Sequence, residues 1–146
     1  MHLLIINGPN LNLVGLREVN IYGSTDINTY INELIQKYSK NSITITYFQS
    51  NVEGDIVNKL QEYGFSCDGI ILNAGAYTHT SLAIADTVAA ISSSVVELHI
   101  SNIFSREDFR HVSFIGKNCK GTISGFGLKG YEMAIQSFID SHFLMV

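Results

Sequence analysis

The stretch LREVNIYGS, residues 16–24, places a cation close to a phenol. Arg17 precedes Tyr22 by five positions in a segment that has no helical apolar period. A tyrosine held beside a fixed positive charge loses its proton more easily than a tyrosine in water. The spacing alone permits a phenolate base here, and it equally permits a packing tyrosine and a solvated arginine.

Hydrogen-bonding side chains without formal charge follow four apolar runs of the chain. These clusters are Asn7 and Asn10; Gln49, Ser50 and Asn51; Asn73, Tyr77, Thr78 and His79; and His99, Ser101 and Asn102. Asparagine, serine and neutral histidine both donate and accept, which suits the recognition of hydroxyl groups. Arg17 and Arg110 suit a carboxylate or a developing enolate. The combination predicts acid–base chemistry on a polyhydroxylated or anionic small molecule.

Short apolar runs alternate with helical patterns, and these elements must position the clusters. Strands are predicted over 3–6, 43–48, 69–73, 95–100 and 121–125. Apolar residues at helical spacing predict helices over 27–38, 56–63, 82–91 and 128–139. The first has Thr25 or Asp26 as its cap, the second stops at Gly64, and the third has Thr78, Thr80 or Ser81 as its cap.

This alternation predicts an α/β fold, a five-stranded parallel sheet covered by helices on both faces in a three-layer sandwich. Right-handed crossovers leave few topologies, of which the flavodoxin-like strand order is the first choice. Ligands of such sheets bind outside the carboxyl ends of the strands. The polar clusters are therefore expected to meet at that edge.

Composition limits the class of protein. The chain has 146 residues, 46% of them hydrophobic, with a formal net charge of −4, which predicts one domain over residues 1–146 with a proper core. The absence of a basic run argues against nucleic acid as a partner. No apolar run has the length of a membrane span, and the first residues lack a basic n-region, which indicates a soluble cytoplasmic protein. Cys67 and Cys119 form no C-x-x-C pair and are expected to be reduced packing residues.

Phosphate and metal sites have little support in the sequence. The first loop, NGPNLNLVG, follows its glycine with a proline that has no N–H for a phosphate, and neither common phosphate-loop motif is present. The glycines of GFGLKG follow the last predicted strand, and their spacing is wrong for such a loop. His79, His99 and His111 are spread over three segments without a typical metal-binding spacing. No metal is therefore expected.

Five stretches identify a family. NGPNLNLVGLRE, IYGS, QSNVEG, NAGAYTHTS and VVELHISNIFSREDFR closely resemble the type II 3-dehydroquinases, in the same order and spacing from Met1 to about Ile139. The resemblance implies a flavodoxin-like fold and the cofactor-free removal of water from 3-dehydroquinate through an enolate, in the shikimate pathway of aromatic amino-acid biosynthesis. It also implies a homo-dodecamer, a tetramer of trimers, and no lysine Schiff base.

The resemblance assigns a role to each matching residue. It makes Tyr22 the base that takes a proton from C2 and Arg17 a lid residue that stabilises the transition state. Asn10 orients a water at the enolate, His99 protonates the departing hydroxyl, and Glu97 supports His99. The matching substrate-binding residues are Asn73, His79, Ile100, Ser101 and Arg110, together with Asp86, which reaches over from a neighbouring subunit.

The sequence departs from the family pattern at two positions. Val19 stands where the family commonly has a proline in the lid, so the lid is expected to be looser. Val52 stands where a histidine is frequent, at a position with no assigned role. Taken singly, the residues permit other readings: His99 as a core histidine, or Arg110 as an ion-pair partner of Glu107 or Asp108. The alternative function is a flavodoxin-like binding or electron-transfer module without catalytic activity.

Overall fold

Five parallel strands form the centre of the molecule. The computed structural model describes residues 1–16 and 26–144, with side chains up to Ser141. The strands in this part of the chain are β1 (His2–Asn7), β2 (Thr44–Gln49), β3 (Gly69–Asn73), β4 (Val95–His99) and β5 (Gly121–Ser124). They pair in the order β2-β1-β3-β4-β5, and every pairing is parallel. The predicted flavodoxin-like order is confirmed.

Helices cover both faces of this sheet. They are α1 (Ile27–Ser39), α2 (Glu53–Tyr63), α3 (Leu82–Ala90) and α4 (Lys129–Leu144). Apolar side chains of α1 and α4 share one core cluster, and those of α2 and α3 share a second cluster on the opposite face. The predicted three-layer α/β sandwich is therefore confirmed.

Strand β1 shows why its apolar run is unbroken. Leu3 and Ile5 belong to the cluster under α1 and α4, whereas Leu4 and Ile6 belong to the cluster under α2 and α3. All four side chains are fully buried. Successive residues of a strand point to opposite faces, so a strand buried on both faces needs apolar residues at every position.

Side-chain caps set the starts of two helices. Asp26 caps α1, because its carboxylate Oδ2 accepts a hydrogen bond from the Thr29 backbone N–H at 3.0 Å. Ser81 caps α3, because its Oγ accepts from the Ile84 N–H at 2.9 Å. Each is among the predicted caps; Thr25, the other candidate for α1, lies outside the described residues.

A glycine follows the end of α2, but its role there is close packing and not a left-handed turn. Gly64 follows the helix as predicted, but its φ of −66° lies in the right-handed region. A β-carbon at this position would lie 2.4 Å from Cγ2 of Ile91. Close packing against Ile91, which follows α3, therefore requires the glycine.

The connection from β4 to β5 consists of short 3₁₀ turns at Ile103–Ser105, Asp108–Arg110 and Gly116–Asn118. This connection starts at the carboxyl end of β4 and returns to the amino end of β5, so its side chains reach both the strand ends and the edge of the sheet. Of the helices in the described ranges, none is long and apolar enough to cross a membrane. Both cysteines are free thiols: Cys67 is buried, and Cys119 is partly buried.

Candidate active site

A small cavity opens at the carboxyl ends of β3 and β4, with a volume of about 50 Å³. Six predicted site residues contribute to its lining or lie directly on it: Asn73, His79, His99, Ile100, Ser101 and Arg110. The described lining residues include two arginines and two histidines, and they include no carboxylate. Larger cavities exist elsewhere, but this one collects the strand-end side chains that the parallel topology was expected to bring together.

His99 and Glu97 form a buried pair. They lie two residues apart on β4 and so face the same side of the sheet. His99 Nε2 lies 2.5 Å from Glu97 Oε1. An ionised carboxylate only accepts hydrogen bonds, so the Nε2–H group donates a hydrogen bond to Glu97 and the ring presents Nδ1 to other partners. This arrangement fixes the orientation of a histidine that can act as a general acid at the cavity.

His79 lies next to His99, with its ring stacked on the His99 ring at a centroid distance of 6.0 Å. Its Nδ1 is 2.7 Å from the Val112 carbonyl oxygen, which can only accept, so Nδ1 donates and Nε2 is left as an acceptor. Burial is the main cause that lowers the pKa of His79 below its usual 6.5, and the neighbouring His99 and Arg110 lower it further. The neutral ring at pH 7 suits the recognition of a hydroxyl group.

We expect the NMR titration of the His79 ring C2–H to give a midpoint below the usual value. In Arg110→Ala the midpoint should move upward, because a positive neighbour has been removed. Lys120→Ala, which removes a charge at the amino end of β5, should leave the midpoint unchanged and serves as the control. Since the unfolded chain binds this proton more readily, His79 should also reduce stability as the pH falls below about 6.5. A midpoint above that of a free histidine would contradict this account.

Two arginines of the β4–β5 connection line the cavity. Arg110 Nε donates to Glu107 Oε2 at 2.8 Å, and Arg106 Nε lies 3.5 Å from the same oxygen. The alternative reading of Arg110 as an ion-pair partner of Glu107 is thus also realised, and this contact orients the guanidinium. Arg106 was not among the predicted site residues. Its signal was present in the sequence, since it lies four positions before Arg110 in the same segment.

Asn73 is held by a buried polar network at the ends of β1 and β3. Its Nδ2 donates to the Tyr131 hydroxyl at 3.3 Å, and its Oδ1 accepts from the Gly75 N–H at 3.3 Å. The Tyr131 hydroxyl donates to Asn7 Oδ1 at 2.7 Å. Burial strongly raises the pKa of Tyr131, so this hydroxyl keeps its proton and remains a donor. The network leaves the Asn73 amide one N–H for a group in the cavity.

Several predicted residues do not line this cavity. Asn10 is exposed, and its backbone N–H donates to Asn51 Oδ1 at 3.0 Å. Gln49 and Ser50 are engaged in local hydrogen bonds, to the Gly8 carbonyl and to Asp55 respectively. Asp86 is exposed on α3, at a separate cavity of about 440 Å³. The structure therefore brings the ends of β3 and β4 together around the cavity. The polar residues after β2 instead make hydrogen bonds that stabilise the local fold.

Arg17 and Tyr22 both lie outside the described residues, as does Val19. Their assigned roles stay predictions. Within the described ranges, no three His, Cys, Asp or Glu side chains are grouped so that they could hold a metal ion.

Comparison with known proteins identifies the family. The family model of the class II dehydroquinases matches residues 1–139. A 3-dehydroquinate dehydratase of Campylobacter jejuni is 47% identical over 139 residues, which cover 95% of this chain and 87% of the relative. A 3-dehydroquinate dehydratase of Prochlorococcus marinus is 50% identical over 139 residues, which cover 95% of each chain.

A solved structure agrees with these sequence relatives. The crystal structure of type II dehydroquinase from Butyrivibrio crossotus superposes with a TM-score of 0.91 at 47% sequence identity, covering 94% of this chain and 97% of that one. A likeness of this extent in both sequence and structure goes well beyond a shared flavodoxin-like fold. The chain belongs to the class II dehydroquinase family.

Proposed function

We propose that this chain catalyses the dehydration of 3-dehydroquinate to 3-dehydroshikimate, without a cofactor, as a single domain over residues 1–146. Membership of the family supports the reaction. The observation in the structure that supports it most directly is the His99–Glu97 pair, whose histidine lines a cavity together with two arginines. That combination supplies a positioned proton donor next to groups that bind an anion.

The first step removes a proton from C2 of the substrate. The proposed base is the phenolate of Tyr22. The electron pair of the C2–H bond forms a C2–C3 double bond, and the π pair of the C3 carbonyl moves to its oxygen to give an enolate. Arg17 and a water oriented by Asn10 stabilise the negative charge that develops in this step. These three assignments follow from the match of Arg17, Tyr22 and Asn10 to the family pattern.

The second step expels the hydroxyl group from C1. The enolate collapses to the ketone, a C1–C2 double bond forms, and the C1–O bond breaks. His99, in its doubly protonated form, gives the Nδ1 proton to the departing oxygen, which leaves as water, while Nε2–H stays bonded to Glu97. Proton donation matters here because hydroxide is a poor leaving group, and a positioned acid lowers that barrier. Glu97 holds the ring and stabilises its charged form through the bond to Nε2.

Substrate binding uses the remaining residues around the cavity. Arg110, together with Arg106, provides the positive charge that a substrate carboxylate needs. Neutral His79, Asn73 and Ser101 can donate and accept with the hydroxyl groups, and Ile100 provides an adjoining apolar surface. The side chains that line the cavity thus suit an anionic, polyhydroxylated substrate.

The function is tested by mixing purified protein with 3-dehydroquinate and following the product by proton NMR. We expect both C2 methylene resonances to disappear as one vinyl resonance appears, because one C2 proton is removed and the other stays on the new double bond. Turnover should persist after treatment with a metal chelator, and after borohydride treatment in the presence of substrate, because the proposed mechanism has no imine to trap. Inactivation by borohydride that depends on substrate would indicate a Schiff-base lysine and contradict the proposal. A protein that binds the ligand without product formation would favour the non-catalytic module.

We propose that the active form is a homo-oligomer, most simply a dodecamer built as a tetramer of trimers, in the cytoplasm. The free thiols of Cys67 and Cys119 suit that reducing compartment. Asp86 supports the assembly, because it is exposed on α3, near the largely exposed side chain of Phe65, and does not line the cavity of its own chain. An aspartate there can instead complete the site of a neighbouring subunit.

Light scattering of the active protein is expected to give a mass near twelve subunits. Asp86→Ala should lower kcat/KM in that assembly, because the proposed contact with the neighbouring site is lost. Asp140→Ala, which removes an acidic group from the far side of α4, is the control and should remain fully active. A fully active monomer would exclude the proposed assembly.

A further inference from the structure

We propose that Ser113 and Gly116 are positioning residues for the reaction, because together they fix the Glu97 carboxylate against His99. Neither residue lines the cavity that contains His99. Both belong to the β4–β5 connection, on the far side of Glu97 from the His99 ring. The inference rests on the proposed function, in which His99 is the proton donor.

The hydrogen bonds around Ser113 have one possible direction. The Gly116 backbone N–H donates to Ser113 Oγ at 2.9 Å. Ser113 Oγ in turn lies 3.0 Å from Glu97 Oε2, and an ionised carboxylate accepts only. The serine hydroxyl therefore accepts from Gly116 and donates to Glu97. Glu97 Oε1 remains for His99, so each carboxylate oxygen has its own donor.

Burial makes this donor important. Glu97 is fully buried, although a cavity of about 670 Å³ lies against its far side, bordered also by Ser113 and Gly116. A buried carboxylate needs hydrogen-bond donors in place of water. Among the residues that the structure describes, the other side-chain donor near Oε2 is Thr122 Oγ1, at the longer distance of 3.4 Å. Ser113 is consequently the principal side-chain donor to this oxygen.

Gly116 restricts the carboxylate by its lack of a side chain. A β-carbon at this position would lie 2.6 Å from Glu97 Oε2 and 3.2 Å from Ser113 Oγ. Separations below 3.0 Å require one of the groups to move. Any larger residue would push the carboxylate away from its present place, and the bond to His99 would change with it.

The first variant to test is Ser113→Ala. We expect kcat to fall by about 10-fold to 100-fold, the range for loss of a hydrogen bond to a charged group, while KM changes by less than about 2-fold. Ser93→Ala is the matched control. Ser93 is also half-buried, accepts one hydrogen bond and donates one to the Cys67 carbonyl at 2.8 Å, but it lies at the opposite end of β4. It should keep normal kcat.

The second variant, Gly116→Ala, keeps the Ser113 hydroxyl but crowds Glu97. It should lower kcat in the same way if the carboxylate position is what matters. In a Glu97→Ala background the crowding and the lost donor both become irrelevant. Ser113→Ala and Gly116→Ala should then each change kcat by less than about 2-fold. If the fold-loss in kcat of each double variant equalled the product of the two single-variant losses, the two residues would act independently of Glu97. That result would overturn the proposal.

A readout that does not need turnover is the proton resonance of His99 Nε2–H, assigned by its absence in His99→Ala. A short charge-assisted bond shifts such a resonance far downfield. It should move or broaden in Ser113→Ala and Gly116→Ala and stay in place in Ser93→Ala. An unchanged resonance in all three variants would refute the inference. If the wild-type protein showed no turnover while the resonance behaved as expected, the proposed function would fail, and only the placement of the Glu97 carboxylate by Ser113 and Gly116 would stand.

Discussion

Replacing Tyr22 with phenylalanine should lower kcat by about 10²-fold to 10⁴-fold, the usual contribution of a positioned base. The change removes one hydroxyl group, so the far-UV circular dichroism and the mass of the oligomer should be unchanged. Steady-state kinetics on 3-dehydroquinate measures the loss. Tyr30→Phe is the control, because Tyr30 packs its ring against the core cluster under α1 and should tolerate the change. Near-normal activity of Tyr22→Phe would show that the base is another group.

Arg17 extends this test, because a free tyrosine titrates near pH 10 and only about one in 10³ is ionised at pH 7. Arg17→Ala should depress kcat. It should also move the limb of the pH–rate profile that reports ionisation of the base to higher pH, since a cation near the phenol favours its ionised form. Arg17→Lys should restore part of the loss, because lysine keeps the charge but not the planar fork of donors. If neither change affected the pH–rate profile, Arg17 would have no role in the ionisation of the base.

His99→Ala should lower kcat by about 10²-fold to 10⁴-fold and change KM much less. The reason is that proton donation to the leaving hydroxyl is needed in the transition state and contributes little to the bound ground state. Separate measurement of kcat and KM distinguishes the two roles. His2→Ala is the control: His2 lies at the amino end of β1, where its Nε2 contacts Thr46 Oγ1 at 2.9 Å. A variant of His99 with normal kcat and a raised KM would make the histidine a binding residue.

The elements of the fold were predictable because their signals are local. The run Leu3–Ile6 predicts a strand buried on both faces, and the spacing of Ile27, Ile31 and Leu34 predicts a helix with one apolar face. The predicted stop of α2 at Gly64 is confirmed, but the need for a glycine there comes from a distant contact. A β-carbon at Gly64 would collide with Ile91, which is remote in sequence.

In the candidate site, too, one part follows from local sequence signals and another part depends on distant contacts. The parallel topology places the ends of β3 and β4 together, so the meeting of Asn73 with His99 at one cavity follows from the strand order. The residues that hold them could not be predicted from local pattern. Tyr131 reaches Asn73 across 58 positions of the chain, and Ser113 reaches Glu97 across 16 positions, through a connection without apolar periodicity.

One comparison of absorbance tests the central claim most directly: wild-type protein and His99→Ala, at equal concentration, are each mixed with 3-dehydroquinate. The product contains an enone conjugated with its carboxylate, so the account predicts a steady rise in ultraviolet absorbance with the wild-type protein. The rise should be slower by at least about 10²-fold with His99→Ala. No rise with the folded wild-type protein, or equal rates for the two proteins, would contradict the claim that this chain dehydrates 3-dehydroquinate with His99 as the acid.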